Sequence, residues 1–275
     1  MTNAVTNNKR YQILLTNDDG IQSPGLWAAA DALSELGYVW VVAPRAQSSG
    51  AGRSMPSYSD GHIDERRLTI GKQEWDTFAV GGSPAQAVLH GILEILPQKP
   101  DLVVSGINYG ENPGTDIAIS GTVGGAMEGA ACGVPSLAAS LQIANVNVEY
   151  RRYSREIDFS TAAHFTQFFA RLMLEKRFPP EVQLIKLDVP YVATPQTPWR
   201  LTRLARYRYF QPIVERKGDW SSDASIGAII DIKPGAVPPD TDVYALAFDH
   251  VVSVTPLDLD MTARVDFGEL DKKLR

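Results

Sequence analysis

A chain of 275 residues with 44% hydrophobic and 21% charged positions has the apolar mass for a full core, as one large domain with an appendage or as two domains. Its formal net charge of −6 argues against a broad electrostatic surface for DNA or RNA, and its single cysteine, Cys132, excludes an internal disulfide and a cysteine-based zinc cluster. No apolar run reaches the ~20 residues of a membrane span, and Met1 to Arg10 is polar with no signal-peptide core, which predicts a cytoplasmic protein.

Tyr11–Thr16 reads as a buried strand ending in the polar cluster Asn17-Asp18-Asp19-Gly20. Pro24 suits the first turn of a helix over residues 24–36, with Leu26, Ala29, Ala30, Leu33 and Leu36 at helical spacing and Gly37 as its stop. Residues 38–43 form a second apolar strand closed by Pro44, so the opening segment is a βαβ unit with parallel strands by the right-handed crossover rule. A Ser/Gly-rich loop over 47–54 leads through a polar excursion to a short strand at 77–80. Ser83-Pro84, a cap followed by a first-turn proline, opens a helix to Leu96 with Val88, Leu89, Ile92, Leu93 and Leu96 on its apolar face. Another buried strand follows at 101–105, then the glycine-rich segment 106–121. A small-residue helix over 122–132, on which Cys132 is expected as a small core residue, and a strand at 136–140 complete this half.

Strands alternating with helices at this rhythm predict an α/β fold, a Rossmann-like, doubly wound and mostly parallel sheet. Residues 159–176 continue it as an amphipathic helix with Phe165, Phe169, Leu172 and Met173 inward, and Leu184–Val189 as a last core strand. Residues 198–256 are rich in β-formers, with 244–248 and 251–255 reading as a hairpin around Asp249-His250. The division expected is therefore a catalytic core over 1–197 and a β-rich arm with its tail over 198–275.

In open α/β sheets ligands bind beyond the carboxyl ends of the strands. Those positions hold Asp18-Asp19 after the first strand, Ser48-Ser49-Gly50 after the second, and Gly106-Ile107-Asn108 after the strand at 101–105. All offer oxygen and none offers imidazole or thiolate, which suits Mg²⁺ or Mn²⁺ better than zinc. An Asp-Asp-Gly run can also form only a turn with a helix cap; the convergence of three strand ends weighs against that. Ser120-Gly121-Thr122 lies directly before a predicted helix, where amides and hydroxyls can hold an anion, although the same tripeptide also serves as a plain N-cap. The run Arg206-Tyr207-Arg208-Tyr209 suits a phosphate or a base, or simple alternation in the arm. His62, His90, His164 and His250 are scattered, and there is no G-x-G-x-x-G after the first strand, no Walker A sequence, no G-x-S-x-G elbow and no D-x-D spacing.

The runs Thr16-Asn-Asp-Asp-Gly20, Val41-Val-Ala-Pro44, Ser49-Gly50, Ser105-Gly-Ile-Asn108, Ser120-Gly-Thr-Val123 and Val252-Ser-Val-Thr-Pro-Leu257 resemble, in order, the motifs of the SurE survival-protein family of nucleotidases. The resemblance implies one divalent cation per subunit, held by Asp18, Asp19, Ser49 and Asn108. It implies hydrolysis of nucleoside 5′- and 3′-monophosphates, in some members also of short polyphosphate, and homodimers or homotetramers joined by the C-terminal arm. Two stretches depart from the family's usual form: Lys186-Leu-Asp-Val-Pro190, and residues 218–238.

The resulting expectation is metal-assisted attack of water on phosphorus, with Asp18, Asp19 and Asn108 at the reacting centre and Ser49, Gly50, Ser120, Gly121 and Thr122 on the phosphate. A dinucleotide oxidoreductase, an assembly protein with a structural metal, and a phosphoaspartyl mechanism on Asp18 are the rival readings.

Overall fold

The structure, a computed structural model, describes residues 10–70, 73–143, 157–233 and 235–275. Of the polar opening stretch only Arg10 falls within them. The chain runs β1 (Tyr11–Thr16), α1 (Pro24–Ser34) and β2 (Gly37–Pro44), with Leu26, Ala29, Ala30 and Leu33 buried on one face of α1 as their spacing predicts. The polar excursion that follows is itself a strand, β3 (Ile63–Ile70), antiparallel to β4 (Gln73–Val80). Its sequence is charged because it is an edge strand, where charge blocks pairing with other chains, so no apolar alternation announces it.

Helix α2 (Pro84–His90) begins with a full capping box between Ser83 and Gln86. It widens over Gly91–Ile95 into a π turn, and the extra residue per turn shifts the helix face. Leu93, expected inward, is consequently 75% exposed. Strand β5 (Leu102–Tyr109) does not stop at Ser105 but runs on through Gly106 and Asn108. Gly106 has φ +133°, and a β-carbon there would lie 2.2 Å from the Ala139 carbonyl oxygen, so only glycine lets the strand continue. After a 3₁₀ turn at Thr115–Ala118 come α3 (Gly121–Ala131), β6 (Ser136–Leu141), α4 (Ser160–Leu174) and β7 (Leu184–Val189). Cys132, expected in the core, is only partly buried because it caps the outer end of α3.

The remaining elements are β8 (Trp199–Leu201), β9 (Phe210–Arg216), β10 (Ala224–Ile230), α5 (Asp242–Tyr244), β11 (Val252–Leu257) and α6 (Phe267–Leu274). Residues 244–248, expected as a strand, are helical: α5 passes into the turn Ala245–Asp249, which buries Ala245 and Leu246. The Thr241 hydroxyl, accepting from the Tyr244 amide at 3.4 Å, caps this start, a signal that outweighs a short alternation readable either way.

Among the described residues the main sheet has nine strands in the order β3-β4-β2-β1-β5-β6-β7-β11-β8. Pairing is parallel except for β3 with β4 and β7 with β11. Helices α1 and α4 cover one face and α2 and α3 the other, giving three layers. Strands β8 and β11 lie beyond residue 197 yet belong to this sheet, whereas β9 and β10 form a separate antiparallel ribbon. From β1 the chain winds first toward β2 and later returns to β5 on the other side, so the switch point lies between the ends of β1 and β5. No described helix is long and apolar enough to cross a membrane.

Ser83 ties this architecture together locally: its hydroxyl accepts from the Gln86 amide at 3.2 Å and donates to the Ser54 carbonyl at 2.6 Å. Ser83→Ala is expected to cost about 1–2 kcal/mol, read as a melting point lowered by a few degrees. An unchanged melting point would remove this cap from the account.

Candidate active site

Asn17 closes the turn after β1. Its Nδ2 donates to the Gly20 carbonyl and its Oδ1 accepts from the Gly20 amide, both at 3.1 Å. This turn sets Asp18 and Asp19 at the switch point, both buried. The Asp18 carbonyl also accepts from the Ser48 amide at 2.7 Å, which draws the loop after β2 to the same place. That loop is fixed again at and just before α3: the Gly52 amide donates to the Ile119 carbonyl at 3.0 Å, and Arg53 Nε pairs with Glu128 Oε2 on the helix at 2.6 Å.

The Asp18 carboxylate meets the amino end of α3. The Thr122 hydroxyl donates to Asp18 Oδ1, and the nearby backbone of Gly121 and Thr122 favours the charged form of the same carboxylate. The anion at this helix start is therefore the protein's own. Approach is so close that a β-carbon on Gly121 would lie 2.6 Å from the Asp18 Cβ. Burial pushes the Asp18 carboxyl up, against the pull of these groups, and the upward direction prevails. Asp19 Oδ2 accepts from the Tyr109 amide at 3.0 Å. Burial, then the neighbouring charge of Asp18, push the Asp19 carboxyl up to about 7.

Asn108 arrives from β5, where pairing with β6 slips between Ser105 and Asn108. Its Nδ2 donates to the Gly110 carbonyl at 2.7 Å, which fixes the amide plane. Ser49 Oγ accepts from Gln47 Nε2 at 2.9 Å, and Ser120 Oγ caps α3 by accepting from the Val123 amide at 3.1 Å. A cavity of about 620 Å³ opens over these groups. Asp18, Ser49, Gly50, Asn108 and Ser120 line one side of it, while Arg208, Phe210, Pro212 and Ile226 of the ribbon and its approach line the other. Gly121 and Thr122 support Asp18 from behind, and Asp19 sits against the Tyr109 amide.

The donor set fits a hard divalent cation. Among the described residues no three His, Cys, Asp or Glu side chains stand together, so an ion here needs the neutral oxygens of Ser49 and Asn108 beside the two carboxylates. Two buried carboxylates whose protonated forms are favoured are what a bound cation would relieve.

Several residues that line the cavity had no signal strong enough to single them out. Glu111, Asn112 and Asp116 are polar residues scattered through a glycine-rich segment, and Phe210, Pro212 and Ile226 look like ordinary β-formers. Only Arg208 stood within a run already suited to phosphate. Arg206 of that run lies on a different cavity.

Fold and site together define a doubly wound α/β protein with an acidic, oxygen-only centre at the switch point of its sheet. The sequence model of the family described as Survival protein SurE matches residues 13–211. A protein of Methanosarcina acetivorans named 5′-nucleotidase SurE is 40% identical over 96% of this chain and 97% of its own length. One of the same name from Thermococcus gammatolerans is 42% identical over 96% of each. The crystal structure of the SurE protein from Aquifex aeolicus superposes with a TM-score of 0.74 at 31% identity, covering 96% of this chain and all of that one. The chain belongs to the SurE family.

Glu111, beside the cavity, accepts from the Ile143 amide at 3.2 Å, and burial pushes its carboxyl up from 4.5 to about 7. A folded value above the unfolded one favours the folded state fully below about 4.5, and this advantage is lost as pH rises through about 7. Glu111→Gln removes the ionisation, so its melting point relative to the parent is expected to climb between pH 5 and pH 8. A constant difference across that range would contradict the assignment.

Proposed function

We propose that this chain is a divalent-metal-dependent phosphomonoesterase that hydrolyses nucleoside 5′- and 3′-monophosphates to nucleoside and phosphate, and that also acts on short polyphosphate. The observation that carries the reading is the convergence of Asp18, Ser49 and Asn108 from three strand ends on one cavity, with Asp19 adjoining. The name 5′-nucleotidase borne by relatives at about 40% identity supports the nucleotide part.

Asp18, Asp19, Ser49 and Asn108 would hold one Mg²⁺ or Mn²⁺ per subunit. When bound, such an ion supplies Lewis acidity toward a phosphoryl oxygen and lowers the pKa of water. The chain's own groups do the rest. The Thr122 hydroxyl and the close approach of Gly121 lock the Asp18 carboxylate in one orientation, so it need not reorganise during the reaction. One of the two carboxylates orients the attacking water. Ser49, Gly50 and Ser120, which line the cavity, steady the phosphoryl oxygens, while Gly121 and Thr122 act through the Asp18 carboxylate they support. Arg208 brings positive charge to a chain whose net charge is negative, and Phe210, Pro212 and Ile226 offer an apolar wall to the nucleoside.

Within 198–275, the β9–β10 ribbon is the part we assign to homodimer or homotetramer formation in the cytoplasm, because Val214 and Ile229 on it are exposed apolar residues outside the cavity. No nucleic-acid polymer or membrane is part of the reading.

The test is phosphate release from a panel of nucleoside monophosphates and short polyphosphate with Mn²⁺, with Mg²⁺ and with chelator. Release with metal alone is expected; a flat response in every arm sinks the proposal, and metal-dependent melting without release favours a structural ion. Asp19→Ala is expected to abolish turnover with the fold retained, and retention of more than about a tenth of the activity removes it from the metal's ligands. Gly121→Ala, which pushes a methyl against Asp18, is expected to lower kcat about tenfold or more, read beside an unchanged far-ultraviolet spectrum.

A further inference from the structure

Lys186, Asp188 and Asp242 are fully buried and form one ionic node outside the cavity's lining. Lys186 Nζ pairs with Asp188 Oδ2 and lies 3.0 Å from Asp242 Oδ2. One ammonium against two carboxylates leaves an excess negative charge, and backbone amides compensate it. The Asn112 amide donates to Asp188 Oδ1 at 2.9 Å, and the Gly114 amide donates to Asp242 Oδ2 at 2.9 Å. The amides of Ala205 and Val243 donate to Asp242 Oδ1 at 2.9 and 2.8 Å.

Of these four residues Asn112 lines the cavity itself, while Gly114 and Ala205 line the neighbouring one and lead along the chain to Asp116 and to Arg208, which do line it. Asn112 lines the side that carries Asn108 and is steadied there by its Nδ2 donating to Ser140 Oγ at 2.9 Å. Ala205, on a neighbouring cavity, precedes by a few residues Arg208 and Phe210, which line this one. The walls are then stitched directly: Gly114 bridges to Arg208, and Asp116 Oδ2 accepts from the Tyr209 and Phe210 amides at 3.1 and 3.0 Å. Burying three charges is costly and is poorly explained by stability alone, since well-packed apolar residues would serve that as well. What a charged node adds is a fixed geometry for every amide that points at it.

We infer that Lys186, Asp188 and Asp242 are positioning residues that set the gap between the metal end of the cavity and its ribbon wall, and thereby its selectivity for a nucleotide over a small phosphate ester. The inference rests on the nucleotidase reading. Loosening the node misplaces the wall that meets the nucleoside and leaves the phosphate end, held by β1, β5 and α3, in place.

Asp242→Asn and Asp188→Asn each leave Lys186 facing one carboxylate, so neither strands an unbalanced charge in the core. With metal present, the full-length variants are assayed on adenosine 5′-monophosphate and on p-nitrophenyl phosphate, and their melting points recorded. KM for the nucleotide is expected to rise about tenfold while kcat/KM for p-nitrophenyl phosphate changes less than about twofold. A proportional fall on both substrates, tracking the folded fraction, would reduce the node to a structural one and overturn the inference, as would unchanged selectivity in whichever variant folds. Failure of both variants to fold is likewise the structural outcome. If instead the parent releases no phosphate from the nucleotide, the nucleotidase reading itself falls, a result that needs no variant to recognise.

Discussion

The contact between the amino end of α3 and the Asp18 carboxylate organises everything around it. It requires a glycine at 121, because no side chain fits between helix and carboxylate. It requires Thr122 to follow, because the hydroxyl donates to that carboxylate. It also draws in the loop after β2, whose Ser48 amide binds the Asp18 carbonyl while Gly52 and Arg53 rest on the same helix. Ser49 and Gly50 are thus carried to the cavity by contacts made on either side of them. A buried carboxylate is costly in itself, and the helix dipole together with local donors lowers that cost without a fixed cation from the protein.

This arrangement resolves a tension in the composition. An acidic chain that handles anions needs attraction confined to one place, and the described molecule confines it to the switch point. There the two carboxylates create demand for a cation, and Arg208 lines the same cavity as Asp18. The field that matters is short-ranged; the surface charge elsewhere is free to serve solubility.

Much of the core was legible from the order of apolar runs, because parallel strands covered on both faces are nearly continuous in Val, Ile, Leu and Ala. Strand β1 and the buried stripe of α1 follow directly from residue spacing. Strand β3 escaped because an edge strand has no need of an apolar face, and the helical path of residues 244–248 escaped because five residues do not separate two periods. At the site, Asp18, Ser49 and Asn108 were readable as polar residues at strand ends. The partnership of Thr122 with Asp18 was not, since a Ser-Gly-Thr run before a helix predicts an anion without saying whose. Nor was the opposite wall, because its residues come from a ribbon whose docking over the cavity no local pattern encodes.

The position of that ribbon in the chain has a meaning for how such molecules diversify. Strand β8 precedes it and strand β11 follows it, and the two lie side by side and parallel in the sheet. The ribbon is therefore an excursion between two neighbouring strands of the scaffold. Its turn can lengthen, shorten or drift in sequence while Asp18, Asp19 and Asn108 stay where β1 and β5 put them. Descendants of one ancestral catalyst could in this way acquire different substrate ranges by revising a single removable flap, with the hydrolytic chemistry inherited intact.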